Sequence, residues 1–526
     1  MLKNFKSINL NRLIIIFLVL NVIAKIFFIS RPIEFIDSVA FPDDTYISLF
    51  LAEQIAEGNG PLYGDNFTNG FQPLYVFLSA PFYLLFDSDK IAPLYAALIL
   101  LLIFDCLSLV MLMKTTDLIV HNKYANMLTG IFWVSSPYVL LTSMNGLETI
   151  ISFFFIVSSF YYFFKYRKTI EGGHSVRQLM VLGVLCGFAI FSRIDNGILA
   201  AVMLVLIIYD KHKNREGAKG LIYSALVFIF SVSVIVLPWF IYSFVYTGDF
   251  FQSSGEGVRF QNLSLKNHFS FISSQQLEIV LYGIRIILIK NVSLIVICGF
   301  CLIILLLRFR KTTVQEFKNR FHYILPVLAF CLLLFCSYVL YIYGMWFFKR
   351  YFFPFVFLFV IILSVLIDMV LTSTPERKSA SVLLIFFSAA ILSINLTRTD
   401  AKEIFFNNNS NSGYMTIGKW VSENFDDGTV IGSMQSGAMS YFSQNVKVIN
   451  LDGVVNEDAL AAAKNKRLMD YVRKMKIEYI IGWDANIDFL IRESEGFDKT
   501  DLTKEFTIAG FKTWEREWSV YKVNYQ

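Results

Sequence analysis

The stretch Phe41-Pro42-Asp43-Asp44-Thr45 follows the first apolar segment, at the point where a membrane helix would end and an external loop would begin. Apolar residues then recur at helical spacing over 46–56, which predicts a short amphipathic helix on the membrane surface. Two carboxylates at the edge of a bilayer can accept a proton from a substrate that arrives from outside. Aspartate before an amphipathic run is equally typical of a helix N-cap, and one residue can cap while the other reacts.

The composition is that of a polytopic membrane protein. Of the 526 residues, 56% are hydrophobic and 17% are charged, and the mean hydropathy of +0.57 is too high for a soluble chain of this length. The net charge of +5 is spread over short loops, which argues against nucleic acid as a partner. All six cysteines fall in apolar segments, where they are expected to pack rather than to bind metal.

Six basic stretches set the predicted topology, because Lys and Arg concentrate in cytoplasmic loops. They are Lys3 to Arg12, Lys114 to Lys123, Lys165 to Arg177, Lys211 to Lys219, Arg308 to Arg320, and Arg377-Lys378. With all six inside, about eleven spans follow, the N-terminus is cytoplasmic and the C-terminus is extracytoplasmic. The predicted spans are 12–30, 91–113, 124–143, 147–164, 178–192, 195–209, 221–246, 291–307, 321–343, 351–371 and 379–397. The loop 31–72 then lies outside, with seven acidic residues and one arginine.

Two further apolar stretches do not fit as spans. Residues 73–86 contain Pro73 and Pro81 and are too short to cross a bilayer. Residues 277–289 contain the charged Arg285. Both are predicted to be interfacial helices, the first of them interfacial or re-entrant, so that the first outer loop extends over 31–90.

Charged residues also lie at the outer breaks between spans. They are Glu148, Arg193, Asp195, Lys349 and Arg350. Charge near hydrocarbon costs about 2.5–3.5 kcal/mol per residue at mid-helix, so it usually marks a pocket or an ion pair. The simpler alternatives are a salt bridge between Arg193 and Asp195, a contact of Glu148 with the next helix, and snorkelling of Lys349 and Arg350 to lipid headgroups. Asp105, inside a span, is expected to be a polar tie between helices.

The composition changes at about residue 400. The run Asn407 to Gly413 is typical of a linker, and short apolar strands then alternate with helical segments. The sequence therefore predicts a transmembrane domain over 1–399 and a small extracytoplasmic α/β domain over 400–526.

Acids and cations thus gather on one side of the predicted membrane. Nucleoside triphosphates are scarce outside the cell, so a transferase there needs an activated donor that crosses as a lipid, and a polyprenyl-phosphate sugar fits. Transfer needs a base for the acceptor hydroxyl and positive charge for the departing phosphate. An acid of the first outer loop can act as the base, and arginine or lysine at the loop edges can supply the positive charge.

Five motifs in the outer loops follow one another in a fixed order. They are Asp43-Asp44, Gln72-Pro73-Leu74-Tyr75, Asn145-Gly146-Leu147-Glu148-Thr149, Ser192-Arg193-Ile194-Asp195-Asn196-Gly197 and Lys349-Arg350-Tyr351-Phe352-Phe353-Pro354. In the order of these motifs, and in the side of the membrane on which they are predicted to lie, the chain resembles the GT-C superfamily of membrane glycosyltransferases. The resemblance is to the protein O-mannosyltransferase and lipid A aminoarabinose transferase branch especially. The resemblance covers about residues 10–400, and Val448 to Gly453 looks like the outer domain of bacterial members.

The resemblance implies a GT-C-like fold and an inverting enzyme that acts by a single displacement. The first-loop acid is the base in that family, which maps to Asp43 or Asp44; Asp43 is the predicted base and Asp44 would orient the acceptor or a metal. Gln72 departs from the family's His-Pro-Pro-Leu segment, which leaves the acceptor geometry open. The predicted substrate-binding residues are Gln72, Glu148, Arg193, Asp195, Arg285, Lys349, Arg350 and Tyr351.

The expected partners are a polyprenyl-phosphate-sugar donor, a glycan, lipid or protein acceptor of the cell envelope, and the lipid bilayer. Metal dependence varies in the family, so no cofactor is fixed and a divalent metal stays open. The expected location is the plasma membrane, the inner membrane if the source is bacterial. The alternatives are a transporter or flippase for a lipid-linked or small polar substrate, an O-antigen polymerase or ligase, and a structural membrane component.

Overall fold

The structure is a computed structural model, and it describes residues 9–86, 89–122, 124–169, 175–264, 273–307, 311–374, 377–406, 412–497, 499–513 and 516–525. The predicted linker lies outside the described residues over 407–411. So do parts of four predicted basic stretches, at 3–8, 123, 170–174 and 308–310.

The helices and strands follow one another along the chain in three parts. The first part forms α1 (Leu10–Ile29), α2 (Ile33–Ala40), α3 (Asp43–Ala56), β1 (Leu62–Tyr63), β2 (Asn66–Phe67), α4 (Pro73–Phe86), α5 (Ala92–Ile119), α6 (Tyr124–Ser135), α7 (Pro137–Ser143), α8 (Thr149–Thr169), α9 (Val176–Ser192) and α10 (Gly197–Lys213). The middle part forms α11 (Ala218–Thr247), α12 (Ser253–Ser264), α13 (Ser274–Lys290), α14 (Val292–Leu307), α15 (Lys311–Ser337), α16 (Phe348–Tyr351), α17 (Phe355–Thr372), α18 (Arg377–Leu396) and α19 (Thr399–Phe406). The last part forms α20 (Tyr414–Asn424), β3 (Val430–Ser433), α21 (Gly437–Phe442), β4 (Lys447–Asn450), α22 (Glu457–Lys464), α23 (Leu468–Lys474), β5 (Tyr479–Gly482), α24 (Asp484–Arg492), β6 (Leu502–Thr513) and β7 (Arg516–Val523).

Seven helices in the described part of the chain are long and apolar enough to cross a bilayer, which makes this a multi-pass membrane protein. They are α1, α5, α8, α11, α15, α17 and α18. The pair α13 and α14 would add an eighth, but it is bent by 80°, as expected if α13 lies flat on the membrane. All eleven predicted spans fall on helices, yet some of these are short or broken, so the count of eleven stays a prediction.

A buried ionic cluster joins α1 to α5 inside the membrane part. Lys25 Nζ lies 3.6 Å from Asp105 Oδ2, and neither side chain is exposed. Asn21 Nδ2 donates to the same oxygen at 2.5 Å, and Trp133 Nε1 lies 3.5 Å from it. Asp105 is therefore the polar tie between helices that its position in the sequence predicted, and it takes no part in the cavity described below.

Removing one partner of this pair is expected to destabilise the protein strongly. In Asp105→Ala the Lys25 ammonium stays buried without its counter-charge, which costs about 3–5 kcal/mol. The double variant Lys25→Met/Asp105→Leu removes both charges and should recover most of that loss. The apparent melting temperature of the purified protein in detergent measures both effects. A double variant no more stable than Asp105→Ala would contradict this account.

The C-terminal part contains a five-stranded sheet in the order β4-β3-β5-β7-β6. The strands β4, β3 and β5 are parallel, whereas β7 and β6 are antiparallel to their neighbours. Helices connect the parallel strands, so this is the α/β domain that the alternating pattern predicted. The carboxyl ends of the three parallel strands lie at one edge of the sheet. The boundary at residue 399/400 stays a prediction.

Candidate active site

One cavity of about 1220 Å³ is lined jointly by helix ends of the membrane part and by loops of the α/β domain. This exceeds the roughly 300–1,000 Å³ of an ordinary small-molecule pocket, so it has room for two substrates. Nine of the ten site residues predicted from the sequence line it: Asp43, Asp44, Gln72, Glu148, Arg193, Asp195, Lys349, Arg350 and Tyr351. Arg285 does not line the cavity; it is exposed on α13, and its predicted substrate contact has no support in this placement.

Asp44 lies in the first turn of α3 and faces a cation. Its Oδ2 accepts a hydrogen bond from Arg350 Nη2 at 3.1 Å, and 31% of the Asp44 side chain is exposed. The turn before α8 holds this helix start in place, since Thr45 Oγ1 donates to the carbonyl of Asn145 at 2.8 Å. Gly146 has a φ of +71°, and a Cβ there would lie 2.3 Å from Thr45 Cγ2. Only glycine allows both this backbone conformation and this close approach.

Asp43 is turned toward the α/β domain instead. Its two carboxylate oxygens accept hydrogen bonds from the backbone amides of Gly437, at 2.8 Å, and Ala438, at 3.0 Å. These amides begin α21, whose own preceding residue, Ser436, provides no side-chain cap. A Cβ on Gly437 would lie 2.3 Å from the Asp43 carbonyl oxygen, so glycine is needed for this contact. The alternative that Asp43 or Asp44 caps the helix that follows them is wrong, because Pro42 is the N-cap of α3 and no side chain caps that helix. Asp43 instead caps α21, a helix of the α/β domain.

Asp37 makes a second contact of the same kind. It is buried on α2, and its carboxylate accepts from the backbone amide of Met415 at 2.8 Å and from Tyr46 Oη at 2.8 Å. Met415 lies in the first turn of α20, which also lacks a side-chain cap of its own. Two acids of the predicted first outer loop therefore hold two helix starts of the α/β domain against the membrane part.

We expect this domain contact to weaken as the pH rises. Burial raises the pKa of Asp37 and of Asp43 to about 7, although their hydrogen bonds act in the opposite direction. A carboxyl group whose pKa is raised on folding stabilises the folded protein fully below its unfolded pKa, and this contribution is lost as the pH rises through the folded value. The apparent melting temperature of the wild type should therefore fall between pH 5 and pH 8.

The variant Asp37→Asn/Asp43→Asn tests this pH dependence, because amides do not titrate. We expect the double variant to melt at a lower temperature than the wild type at pH 5, since the NH2 group of an asparagine cannot accept a hydrogen bond that a carboxyl oxygen accepts. We also expect its melting temperature to change less with pH. Asp65→Asn, at an exposed acid of the same loop that pairs with Lys447, is the control. If the melting temperatures of the wild type and the double variant changed in parallel with pH, the two acids would be excluded as the cause of the pH dependence.

Glu148, Arg193 and Asp195 form one buried network. Arg193 Nη1 donates to Glu148 Oε1 at 2.6 Å, and Arg193 Nε and Nη2 donate to Asp195 at 3.2 and 3.1 Å. Tyr338 Oη bonds both to Arg193 Nη2, at 2.8 Å, and to Asp195. The salt bridge weighed from the sequence is present, and Glu148 joins it. With two carboxylates on one guanidinium, Arg193 is suited to fixing the cavity wall.

The arginine side chains of this cavity wall contact aromatic rings. Tyr351 stacks on Tyr338 with ring centroids 4.1 Å apart. The guanidinium of Arg193 lies 5.0 Å from the Tyr351 centroid and that of Arg350 lies 5.4 Å from it. Arg350 Nε is buried and has no hydrogen-bond partner among the described residues. Because such contacts orient a guanidinium without neutralising it, the rings hold the positive charge of Arg350 in the cavity wall beside Asp44.

Other lining residues were not predicted from the sequence. Arg259 on α12 lines the cavity, its guanidinium lies 4.5 Å from the Tyr341 centroid, and its Nε is buried without a partner among the described residues. Asp452 follows β4, and Trp483 and Asn486 follow β5. The positions of Asp452, Trp483 and Asn486 directly after predicted strands could have indicated them, because ligands of α/β sheets bind at the carboxyl ends of strands.

The described residues offer no group of three or more His, Cys, Asp or Glu side chains that could hold a metal ion. Asp44, the predicted metal ligand, is paired with Arg350 instead. The donor set around Asp44 therefore does not fit a metal site of its own.

The chain has a fold similar to that of solved GT-C membrane glycosyltransferases, as the five motifs predicted. ArnT from Cupriavidus metallidurans bound to undecaprenyl phosphate has a similar structure, with a TM-score of 0.57 and 12% identity over 97% of each chain. Its apo state has a TM-score of 0.58 and 12% identity over 97% of this chain and 98% of that one. Identities this low show a shared fold.

A second similar structure is the archaeal oligosaccharyltransferase AglB from Archaeoglobus fulgidus, in complex with an inhibitory peptide and a dolichol-phosphate. It has a TM-score of 0.58 and 13% identity over 93% of this chain and 71% of that chain. A family model described as a domain of unknown function (DUF8728) matches residues 403–523. No curated protein matches the chain significantly in sequence.

Proposed function

We propose that this chain is an inverting glycosyltransferase of the plasma membrane, the inner membrane if its source is bacterial. It would move a sugar from a polyprenyl-phosphate donor to a hydroxyl group of a cell-envelope acceptor on the outer face. The observation that carries the proposal is the pairing of Asp44 with Arg350 in a cavity large enough for two substrates. The shared fold supports it, since the ArnT and AglB structures contain polyprenyl phosphates.

Asp44 is the better candidate for the base than Asp43. Both oxygens of Asp43 accept hydrogen bonds from backbone amides, which leaves that carboxylate poorly placed to take up a proton from a substrate. Asp44 is one-third exposed and has one oxygen on Arg350. The role of base, predicted for Asp43 from the sequence, therefore passes to its neighbour in this proposal.

The proposed reaction is a single displacement. Asp44 takes the proton of the acceptor hydroxyl while the acceptor oxygen bonds to the anomeric carbon of the donor sugar. The bond from that carbon to the phosphate oxygen breaks, and its electron pair stays on the polyprenyl phosphate. Arg350, Lys349 and Arg259 supply the positive charge that stabilises this leaving group. Attack opposite to the leaving group inverts the anomeric centre.

The test uses purified protein in proteoliposomes supplied with a panel of radiolabelled polyprenyl-phosphate sugars. Release of free polyprenyl phosphate and transfer of label to envelope extracts are measured against protein-free liposomes. We expect one donor to be consumed only in the presence of the protein. Movement of an intact donor across the bilayer, without loss of its sugar, would instead establish the flippase alternative and overturn the proposal.

A further inference from the structure

The cavity has a second wall, formed by the carboxyl edge of the parallel strands in the α/β domain. We use the name carboxyl edge for the five cavity-lining residues that follow these strands: Met434 and Gln435 after β3, Asp452 after β4, and Trp483 and Asn486 after β5. Parallel α/β sheets bind ligands in the crevice outside the carboxyl ends of their strands. This edge opens into the same space as Asp44 and Arg350, so a ligand there would lie beside the proposed reaction centre.

Asn486 shows that this edge is built for a polar ligand. It lies in the first turn of α24, and only 7% of the residue is exposed. Asn486 lines the cavity, and its side chain makes no hydrogen bond to any described residue. Buried amides are nearly always hydrogen-bonded, because an unpaired one loses its interactions with water for nothing in return. The side-chain amide of Asn486 is therefore available to a hydrogen-bonding group in the cavity.

Trp483 adds a flat apolar surface with an unused donor. Its Nε1 is buried and has no partner among the described residues. Trp518 packs against the Trp483 ring in a T-shaped contact, with ring centroids 5.6 Å apart, and the guanidinium of Arg516 lies over one face of the ring, 5.0 Å from its centroid. A tryptophan ring offers a large apolar face together with one polar group, which is the combination that a sugar ring presents in return.

Asp452 links the carboxyl edge to the proposed base. Its Oδ1 accepts from the backbone amide of Val454 at 2.9 Å, which fixes the carboxyl group at the end of β4. Burial raises the pKa of Asp452 to about 7, and the carboxylate of Asp44 adds to the rise. The carboxylate of Asp44 thus acts on the carboxyl group of Asp452.

We propose that the carboxyl edge binds the terminal sugar of a glycan, so that the acceptor is a glycan rather than a peptide or a lipid. This inference rests on the proposed function. The amides of Asn486 and Gln435 and the carboxyl group of Asp452 can pair with sugar hydroxyls, while Trp483 covers the C–H face of the ring. An acyl chain would leave these polar groups unpaired in a dry site, which costs binding free energy.

The experiment measures acceptor binding separately from turnover. Full-length protein in lipid nanodiscs is titrated with a panel of p-nitrophenyl hexopyranosides and pentofuranosides, and binding is followed by saturation-transfer NMR. The variants are Asn486→Ala and Gln435→Ala. Asp488→Ala, at an exposed residue of the same helix outside the cavity, is the matched control. Apparent melting temperatures verify folding, and release of polyprenyl phosphate from the donor panel is measured in parallel.

We expect at least one glycoside to bind the wild type saturably, with its Kd raised tenfold or more in Asn486→Ala and unchanged in Asp488→Ala. Absence of glycoside binding by the folded wild type overturns the inference, as does equal binding by Asn486→Ala. Stronger competition at this site by a serine-containing peptide or a diacylglycerol also overturns it. Donor release without glycoside binding refutes the glycan acceptor alone, whereas glycoside binding without donor release refutes the proposed function alone.

Discussion

Replacing Asp44 by asparagine is expected to lower glycosyl transfer by about 10²–10⁴-fold, the range that a positioned general base contributes. The amide keeps the size of the side chain and its exposed position in α3, but it cannot take up the proton of the acceptor hydroxyl. Initial rates of transfer at saturating donor measure the effect. Because Asp44 is partly exposed, the variant should fold and melt close to the wild type.

Asp43→Asn separates the base from its neighbour. It changes a carboxylate that caps α21, so we expect a lower melting temperature and a loss of transfer smaller than that of Asp44→Asn. Asp65→Asn, at an exposed acid of the same loop, should transfer at the wild-type rate. If Asp43→Asn abolished transfer while Asp44→Asn retained it, the base would be Asp43, and the assignment made from the structure would be wrong.

The membrane part of the fold was predictable because its signal is local. Apolar runs of spanning length and the sidedness of basic loops decide where helices cross, and neither depends on distant contacts. The polar tie at Asp105 followed from the same reasoning, since charge in a span needs a partner. The identity of that partner, Lys25, was not predictable, because it lies far away in the chain on another helix.

It was predictable from the sequence that the candidate site residues lie close together, but their individual roles were not predictable. The helix breaks that the sequence predicts on one side of the membrane line one cavity, where Glu148 and Arg193 are hydrogen-bonded. Arg285 shares their side of the predicted membrane but is exposed on α13, which a span count does not reveal. Asp43 and Asp44 are adjacent and chemically identical, so only the position of α21, about 390 residues further along, separates a cap from a candidate base.

The residues that the α/β domain contributes to the cavity were not predictable from the sequence, for a related reason. Each of its cavity residues follows a strand that the sequence does suggest, but whether that edge faces the membrane part depends on how the two domains dock. Docking is set by buried contacts such as those of Asp37 and Asp43 with backbone amides. Backbone amides carry no sequence signature, so a contact of this kind is not recognisable before the structure.

Arg350→Gln is expected to lower transfer by about 10²–10³-fold, the loss typical for one donor that stabilises developing negative charge. The variant removes the positive charge beside Asp44 and the buried Nε that has no partner among the described residues. Arg350→Lys restores the charge without the planar fork, so it should recover part of the loss. Arg285→Gln is the matched control, since that arginine is exposed outside the cavity, and it should transfer at the wild-type rate.

The double variant Asp44→Asn/Arg350→Gln decides whether the two residues act as a unit. Their side chains are 3.1 Å apart, and groups in direct contact show non-additive effects. Arg350 orients the base as well as stabilising the leaving phosphate, so part of its loss is already contained in that of Asp44→Asn. We therefore expect the double variant to lose less than the product of the two single losses. Losses that multiply fully would show that Arg350 acts on the phosphate independently of Asp44, and the ion pair would then be incidental to catalysis.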